Sequence, residues 1–313
     1  MNPAALLSLV LLATFGLATL ILSVLVALVW RSGLERTPAI SAELLMLRLL
    51  PAAGGLLLAL TVVLPAFLSR EPPHPREAVG PLLLILAACS VLAVSHGIWR
   101  GWRACAAARA LLRNCGPVGR QLMVRGQKVG LIAVAEPMVA VIGAWRPQIV
   151  AAECVLSACS TDEFQEVLAH EVAHVRARDN LKQLLLIASP DVLGWTRAGA
   201  ALMRRWRVAA ELEADQRATG NDPRRRLALA AALIKVARAL GAVERAHPAL
   251  SMPVAGDDVE ARVRQLLAPP RALTAGSARL RILASCALLM PLAAWPLYPL
   301  VHELIEALVR LGL

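Results

Sequence analysis

Apolar positions fall in four long runs, at residues 4–30, 49–69, 78–99 and 282–301, each with at least 20 residues and no Asp, Glu, Lys or Arg. At 1.5 Å of rise per residue, about 20 residues cross the ~30 Å of hydrocarbon in a bilayer. The pattern therefore predicts four transmembrane helices. Trp30, Trp99 and Trp295 stand near run ends, where an aromatic belt places them. The last run holds Pro291, Pro296 and Pro299, which predicts a kinked or frayed span. The first run lacks a basic leader and is longer than a signal-peptide core, so it is expected to stay as an anchor.

Between the third and fourth runs the pattern changes. Short strand-like stretches at 122–124, 131–134, 139–142 and 148–152 are separated by the turn pairs Arg125-Gly126, Glu136-Pro137 and Arg146-Pro147. Helical spacing follows. Ser160 with Glu163 three residues on forms a candidate capping box, and Phe164, Val167, Leu168, Val172 and Val175 recur at helical intervals. A second helical stretch, 181–202, is interrupted by Pro190, Asp191 and Gly194 and makes a poor fifth span. Further helices are predicted over 204–218 and 223–241. The tract 251–277 is rich in Pro, Gly and Ala and is expected to be partly loop.

Composition agrees with a membrane class: 313 residues, 58% hydrophobic and only 18% charged. The net charge of +11 comes from 30 Arg and 3 Lys against 22 acidic residues. Many of these Arg lie beside apolar runs, which favours an anionic membrane face over nucleic acid; a nucleic-acid partner is not expected. Arg100, Arg103, Arg109 and Arg113 after the third run, with Arg271, Arg279 and Arg281 before the fourth, predict a cytoplasmic 100–281 segment. The loop at 70–77, with Arg70 and Arg76 alone, is expected outside. Six Cys occur without a CxxC pair, so a thiolate metal site is not expected.

Chemistry concentrates in HEVAH, residues 170–174. At 100° per residue His170 and His174 lie 40° apart, one turn along a helix, so both imidazoles can reach one cation. Glu171 lies 100° round from His170, within reach of a water on that cation, and is the candidate general base. Downstream, ELEAD at 211–215 places Glu211 and Asp215 on one helix face. Two His and a Glu with one open position is a known catalytic zinc set. Glu211 is read as the third ligand and Asp215 as the partner that orients a ligand His. Glu213 is the register alternative, about 200° away from Glu211.

HEVAHVRARDN followed by ELEAD resembles the integral-membrane gluzincins, above all the beta-lactam sensor-transducer peptidases. The resemblance covers the spans, the strand stretch ending at RPQIVAAE, Arg178-Asp179-Asn180 after the HExxH helix, and the Glu211/Asp215 helix. A more distant resemblance, to the CAAX prenyl protease and heat-shock membrane protease family, rests on His247-Pro248 with Glu260 and Arg262 beyond.

The first resemblance implies a mainly α membrane protein of the bacterial inner membrane. An α+β zincin-like metalloprotease domain (100–281) lies between three spans (1–99) and a fourth (282–301), with a short tail at 302–313. It implies one Zn2+ per chain and hydrolysis of protein or peptide substrates on the cytoplasmic side, a transcriptional repressor among them. A housekeeping membrane protease and a non-catalytic zinc receptor are the rival readings; an intact Glu171 speaks against the second. Asp179 is a further candidate partner for a ligand His, His247 for the oxyanion donor, and Gln148, Ile149, Val150 and Ala151 for an edge strand that pairs an extended substrate. About a dozen residues follow the fourth run, so the family's extracellular penicillin-binding sensor is not expected. No Ser stands three residues before any Lys, so direct beta-lactam capture is not expected either.

Overall fold

The computed structural model describes residues 3–32, 40–70, 80–114, 120–124, 126–132, 138–220, 222–246, 256–268 and 303. The fourth predicted span and His247 lie outside the described residues. The described part is mostly helical with one small sheet, and it divides into two compact units, one of the described residues up to Gly101 with Leu186–Trp206, the other of the described residues in Trp102–Leu185 and from Arg207 to 268.

The first unit contains the spans. α1 covers Pro3–Arg31; α2 covers Ser41–Leu58 and passes through one π-turn, Ala59–Val63, into α3, Leu64–Arg70; α4 covers Pro81–Asn114. Three stretches, Ala4–Arg31, Ser41–Ser69 and Pro81–Asn114, are long and apolar enough to cross a membrane. Leu6, Val10 and Ala13 of α1 pack with Val63, Leu83 and Ala87. Gly16 lets α1 approach α4 closely, since a Cβ there would fall 2.0 Å from Ser90 Oγ; small residues at such crossings are how spanning helices pack.

Residues 186–206 group with these spans. The helix that precedes them, α7 (Asp179–Ala188), stops before Pro190, and a 3-10 turn at Val192–Trp195 follows. Asp191 accepts a hydrogen bond from the Gly194 amide and two from Arg48 of α2, at 2.9 and 2.7 Å. Thr196 Oγ1 then accepts from the Gly199 amide and starts α8, Arg197–Thr219. The stretches read as 181–202 and 204–218 are therefore cut differently: the break sits at 189–196, and one continuous helix runs from Arg197 to Thr219.

The second unit is built on a four-stranded sheet, β1 (Arg120–Val124), β2 (Gln127–Ile132), β3 (Val139–Ile142) and β4 (Gln148–Ala152), in the order β1-β2-β4-β3. β1 and β2 form a hairpin closed at Val124↔Gln127, with Gly126 at φ +81° in the turn. β4 runs parallel to β2 and antiparallel to β3.

The expectation that Gln148, Ile149, Val150 and Ala151 form an edge strand is thus corrected. β4 is central, Ile149 to Ala152 are all buried, and both of its backbone edges are paired. A strand covered on both faces carries a continuous apolar run in place of alternation, as IVAA does. The edges of the sheet are β1 and β3.

A short helix α5 (Glu153–Ala158) leads into α6 (Thr161–Ala177). The capping box is formed: Ser160 Oγ accepts from the Glu163 amide, and Glu163 accepts from the Ser160 amide. Phe164, Leu168 and Val172 recur every fourth residue and press α6 onto Val129, Ile149, Ala151 and Ala152 of the sheet. On another face, buried Glu166 receives a two-pronged grip from Arg225 of α9 (Pro223–Ala246), at 2.9 and 3.1 Å. Within the tract 251–277, α10 spans Gly256–Leu267, and residues 251–255 and 269–277 lie outside the described residues. Val263 and Leu266 pack it into a cluster with Leu229, Ala230 and Ala232 of α9 and Val167 of α6.

Candidate metal centre

α6 presents His170 and His174 away from its sheet-facing stripe of Phe164, Leu168 and Val172. The Nε2 atoms of His170 and His174 are 3.1 Å apart. Each is 3.4 Å from one carboxylate oxygen of Glu211 on α8, His170 to Oε2 and His174 to Oε1. Two imidazole lone pairs at such a separation repel unless a proton or a cation lies between them. A tetrahedral divalent ion with donor bonds of about 2.0–2.1 Å sets its ligand atoms about 3.3 Å apart. The three donors are thus spaced for one ion, and they form the metal-capable group among the described residues.

Each His is oriented from behind. His170 Nδ1 donates to Asp215 Oδ1 at 2.8 Å, and His174 Nδ1 donates to Asp179 Oδ2 at 2.8 Å. With both Nδ1 atoms committed to carboxylates, the Nε2 atoms are left for a ligand.

The route to Asp179 is local. Arg178 takes a left-handed conformation (φ 55°, ψ 39°) at the end of α6, and the chain turns back into α7. That corner brings Asp179 beside His174, where Lys182 holds its other oxygen at 2.8 Å. It also sends the Asn180 amide to the carbonyls of Val141 on β3 and Gly143 just after it, at 2.8 and 3.0 Å. Three consecutive residues therefore turn the helix, support a ligand and tie the site to the sheet.

Charges follow this geometry. Burial alone lowers the His174 pKa, but hydrogen bonds to Asp179 and Glu211 overcome it and raise it to about 10. His170 behaves likewise: burial opposes protonation, and Asp215 and Glu211 outweigh it. Burial also acts against the Glu211 charge, yet its bonds to both His and the Arg262 charge hold it far below the usual carboxylate range. Groups that share protons this tightly release them when a metal takes their place. Glu171 differs: burial dominates and pushes its carboxyl up, against the lowering pull of His170 and His174. Four carboxylates, Glu171, Glu211, Asp179 and Asp215, lie among two fixed cations, Lys182 and Arg262. The surplus is what one divalent ion cancels. The Glu211 side chain is 38% exposed against 7% and 13% for the two His, so the site opens on its Glu211 side.

The register within ELEAD is resolved in the same frame. Glu213 is buried and bonds Arg217 at 2.6 Å, away from the two His. Arg262 has a larger part than its sequence position suggested. It grips Asp215 with Nε and NH2 at 2.9 and 2.7 Å and reaches Glu211 Oε2 with NH1 at 3.0 Å. The available signal was the spacing of Val259, Val263 and Leu266, which marks a helix inside the Pro/Gly/Ala tract.

Two His and a Glu around one ion-sized space, in a chain with three membrane-length apolar helices among the described residues, make a candidate metal centre in a membrane protein. The chain belongs to the BlaR1 peptidase M56 family, whose model matches residues 78–266. No curated protein and no solved structure gives a significant match.

Proposed function

We propose that this chain is a zinc-dependent endopeptidase with an α+β zincin-like domain, which cleaves protein substrates on the cytoplasmic side of the bacterial inner membrane. The observation that carries the reading is the convergence of His170, His174 and Glu211 on one ion-sized space, with Glu171 beside them and a carboxylate behind each imidazole. The donor set, two imidazoles and one carboxylate with an exposed side, suits a catalytic zinc site, because a structural site would be closed by a fourth protein ligand. When bound, the ion supplies Lewis acidity to a water and to the scissile carbonyl.

The chain's own residues do the rest. Glu171 accepts the water proton and later delivers it to the leaving amine. Asp215 and Asp179 hold the two imidazoles in the tautomer that leaves Nε2 free. His247, outside the described residues, is the sequence's candidate donor to the developing oxyanion. The Arg-rich flanks at 100–113 and 271–281 support a cytoplasmic protease domain. The family resemblance supports regulated cleavage of a soluble transcriptional repressor, which proteomics after induction separates from general turnover of membrane proteins: one or few soluble substrates against many embedded ones.

The decisive test is Glu171→Gln in the full chain, in detergent micelles, with casein as substrate and metal content measured by emission spectroscopy. Glu171→Gln should keep its zinc and lose at least about 10²-fold in hydrolysis. His170→Ala and His174→Ala should lose both. Zinc lost in Glu171→Gln but retained in His174→Ala would refute the assignment.

A further inference from the structure

Arg262 touches three members of the centre at once. Its fork on Asp215 fixes the carboxylate that orients His170, and its third nitrogen holds Oε2 of Glu211. NH2 also lies 3.3 and 3.4 Å from the two ring nitrogens of His170. Such equal distances place it across the ring and out of line with either lone pair. The side chain is 14% exposed. It is carried by a helix locked in place on its own account: Val263 and Leu266 sit in the α6–α9 cluster, and Arg226 caps the end of α10 by donating to the Gln265 carbonyl at 2.8 Å and to the Ala268 carbonyl.

Both Glu211 oxygens face the imidazole pair, at equal 3.4 Å distances. Left to itself, such a carboxylate offers an ion two bonds. Two bonds from Glu211 would fill the position that an attacking water needs, since a catalytic site depends on one open place. A guanidinium 3.0 Å from Oε2 competes with an ion for that oxygen. We propose that Arg262 is a positioning residue that makes Glu211 a one-oxygen ligand through Oε1, and so keeps the fourth position open, while its grip on Asp215 steadies His170. This rests on the metal-centre reading above and goes beyond it by assigning the openness of the site to a residue that is not a ligand. Lysine cannot substitute: an ammonium can reach Asp215 or Glu211, but it lacks the planar fork that serves both.

Cobalt(II) reports the difference directly, because its visible absorption weakens as coordination number rises. The experiment loads the full-length wild type, Arg262→Met and Arg262→Lys with Co2+ in micelles. It records the spectra, then measures Co2+ affinity by chelator competition and casein hydrolysis. Arg262→Met should show the weaker, higher-coordination spectrum and an affinity changed by about 10–100-fold, the size found when support of a ligand is lost. Added methylguanidinium should restore the wild-type spectrum. Arg262→Lys should fold, show the altered spectrum, and lose kcat with KM retained; it decides the matter if Arg262→Met does not fold. A wild-type spectrum in Arg262→Lys, or an unchanged spectrum and affinity in Arg262→Met, overturns the inference alone. Failure of the wild type to take up Co2+ overturns the metal-centre reading and the inference with it.

Discussion

Two buried clusters of charge, one in each unit, are built to opposite plans. Among the spans, Arg48 meets Asp191 with side-chain exposures of 2% and 0%. Both Asp191 oxygens are fully engaged, Oδ1 by Arg48 and the Gly194 amide, Oδ2 by Arg48 and the Ser189 hydroxyl. Four donated hydrogen bonds fill the carboxylate, with no lone pair left over. In the second unit the carboxylates outnumber the fixed cations, two Nε2 atoms face each other, and the Glu211 side chain is open to water. A closed pair makes structure, whereas an open cluster with unmatched charge makes a binding site. Burial of charge alone would not tell them apart; the surplus of carboxylates over fixed cations in the second unit does.

The comparison breaks first at the closed pair. Asp191→Asn leaves Arg48 buried without its counter-charge and should cost about 3–5 kcal/mol of stability. Arg48→Met with Asp191→Leu should recover much of that, since an apolar replacement of both partners is often close to neutral. Thermal unfolding in micelles measures it, and metal affinity should not change in either variant. A loss of metal with unchanged stability would mean that the pair serves the site and that the contrast is wrong.

The open cluster should respond in the other currency. Asp179→Asn keeps the shape but weakens the grip on His174 Nδ1, and should lower zinc affinity about 10–100-fold. Unfolding of the metal-free protein should shift far less than in Asp191→Asn. Chelator competition and unfolding, run on the same preparations, place the two clusters on separate axes.

The legible parts of this molecule were those written in local spacing. HEVAH, ELEAD, the capping box at Ser160 and the strands at 139–142 and 148–152 depend on residues within a turn or two of one another. The strand order does not. A stretch such as QIVAA shows that both faces are covered, but which strands flank it depends on β2, paired to it from some 20 residues earlier. Arg262 was hidden for a similar reason. It lies 92 residues from His170, and its helix sits in a tract whose composition resembles a loop. The break at 189–196 was visible in Pro190 and Gly194; that Asp191 there is the partner of Arg48, 143 residues away, was not.

The smallest expected effect lies at the corner that joins α6 to α7, and it separates shape from charge. Arg178 is the one described non-glycine residue with positive φ. Its side chain is exposed, while its backbone carries the turn that returns Asp179 to His174. The left-handed conformation costs a residue with a Cβ about 1–2 kcal/mol, and glycine avoids that cost but has more freedom to lose on folding, about 0.5–1 kcal/mol. Arg178→Gly should therefore change stability by less than about 1 kcal/mol, towards stabilisation, with zinc affinity and casein hydrolysis intact. Arg178→Val should go the other way, because a β-branched side chain tolerates this conformation least; its corner should open, and metal affinity should fall with it. If Arg178→Gly instead lost metal at unchanged stability, the guanidinium itself would belong to the centre, and the charge count that sets the open cluster apart would need a third cation.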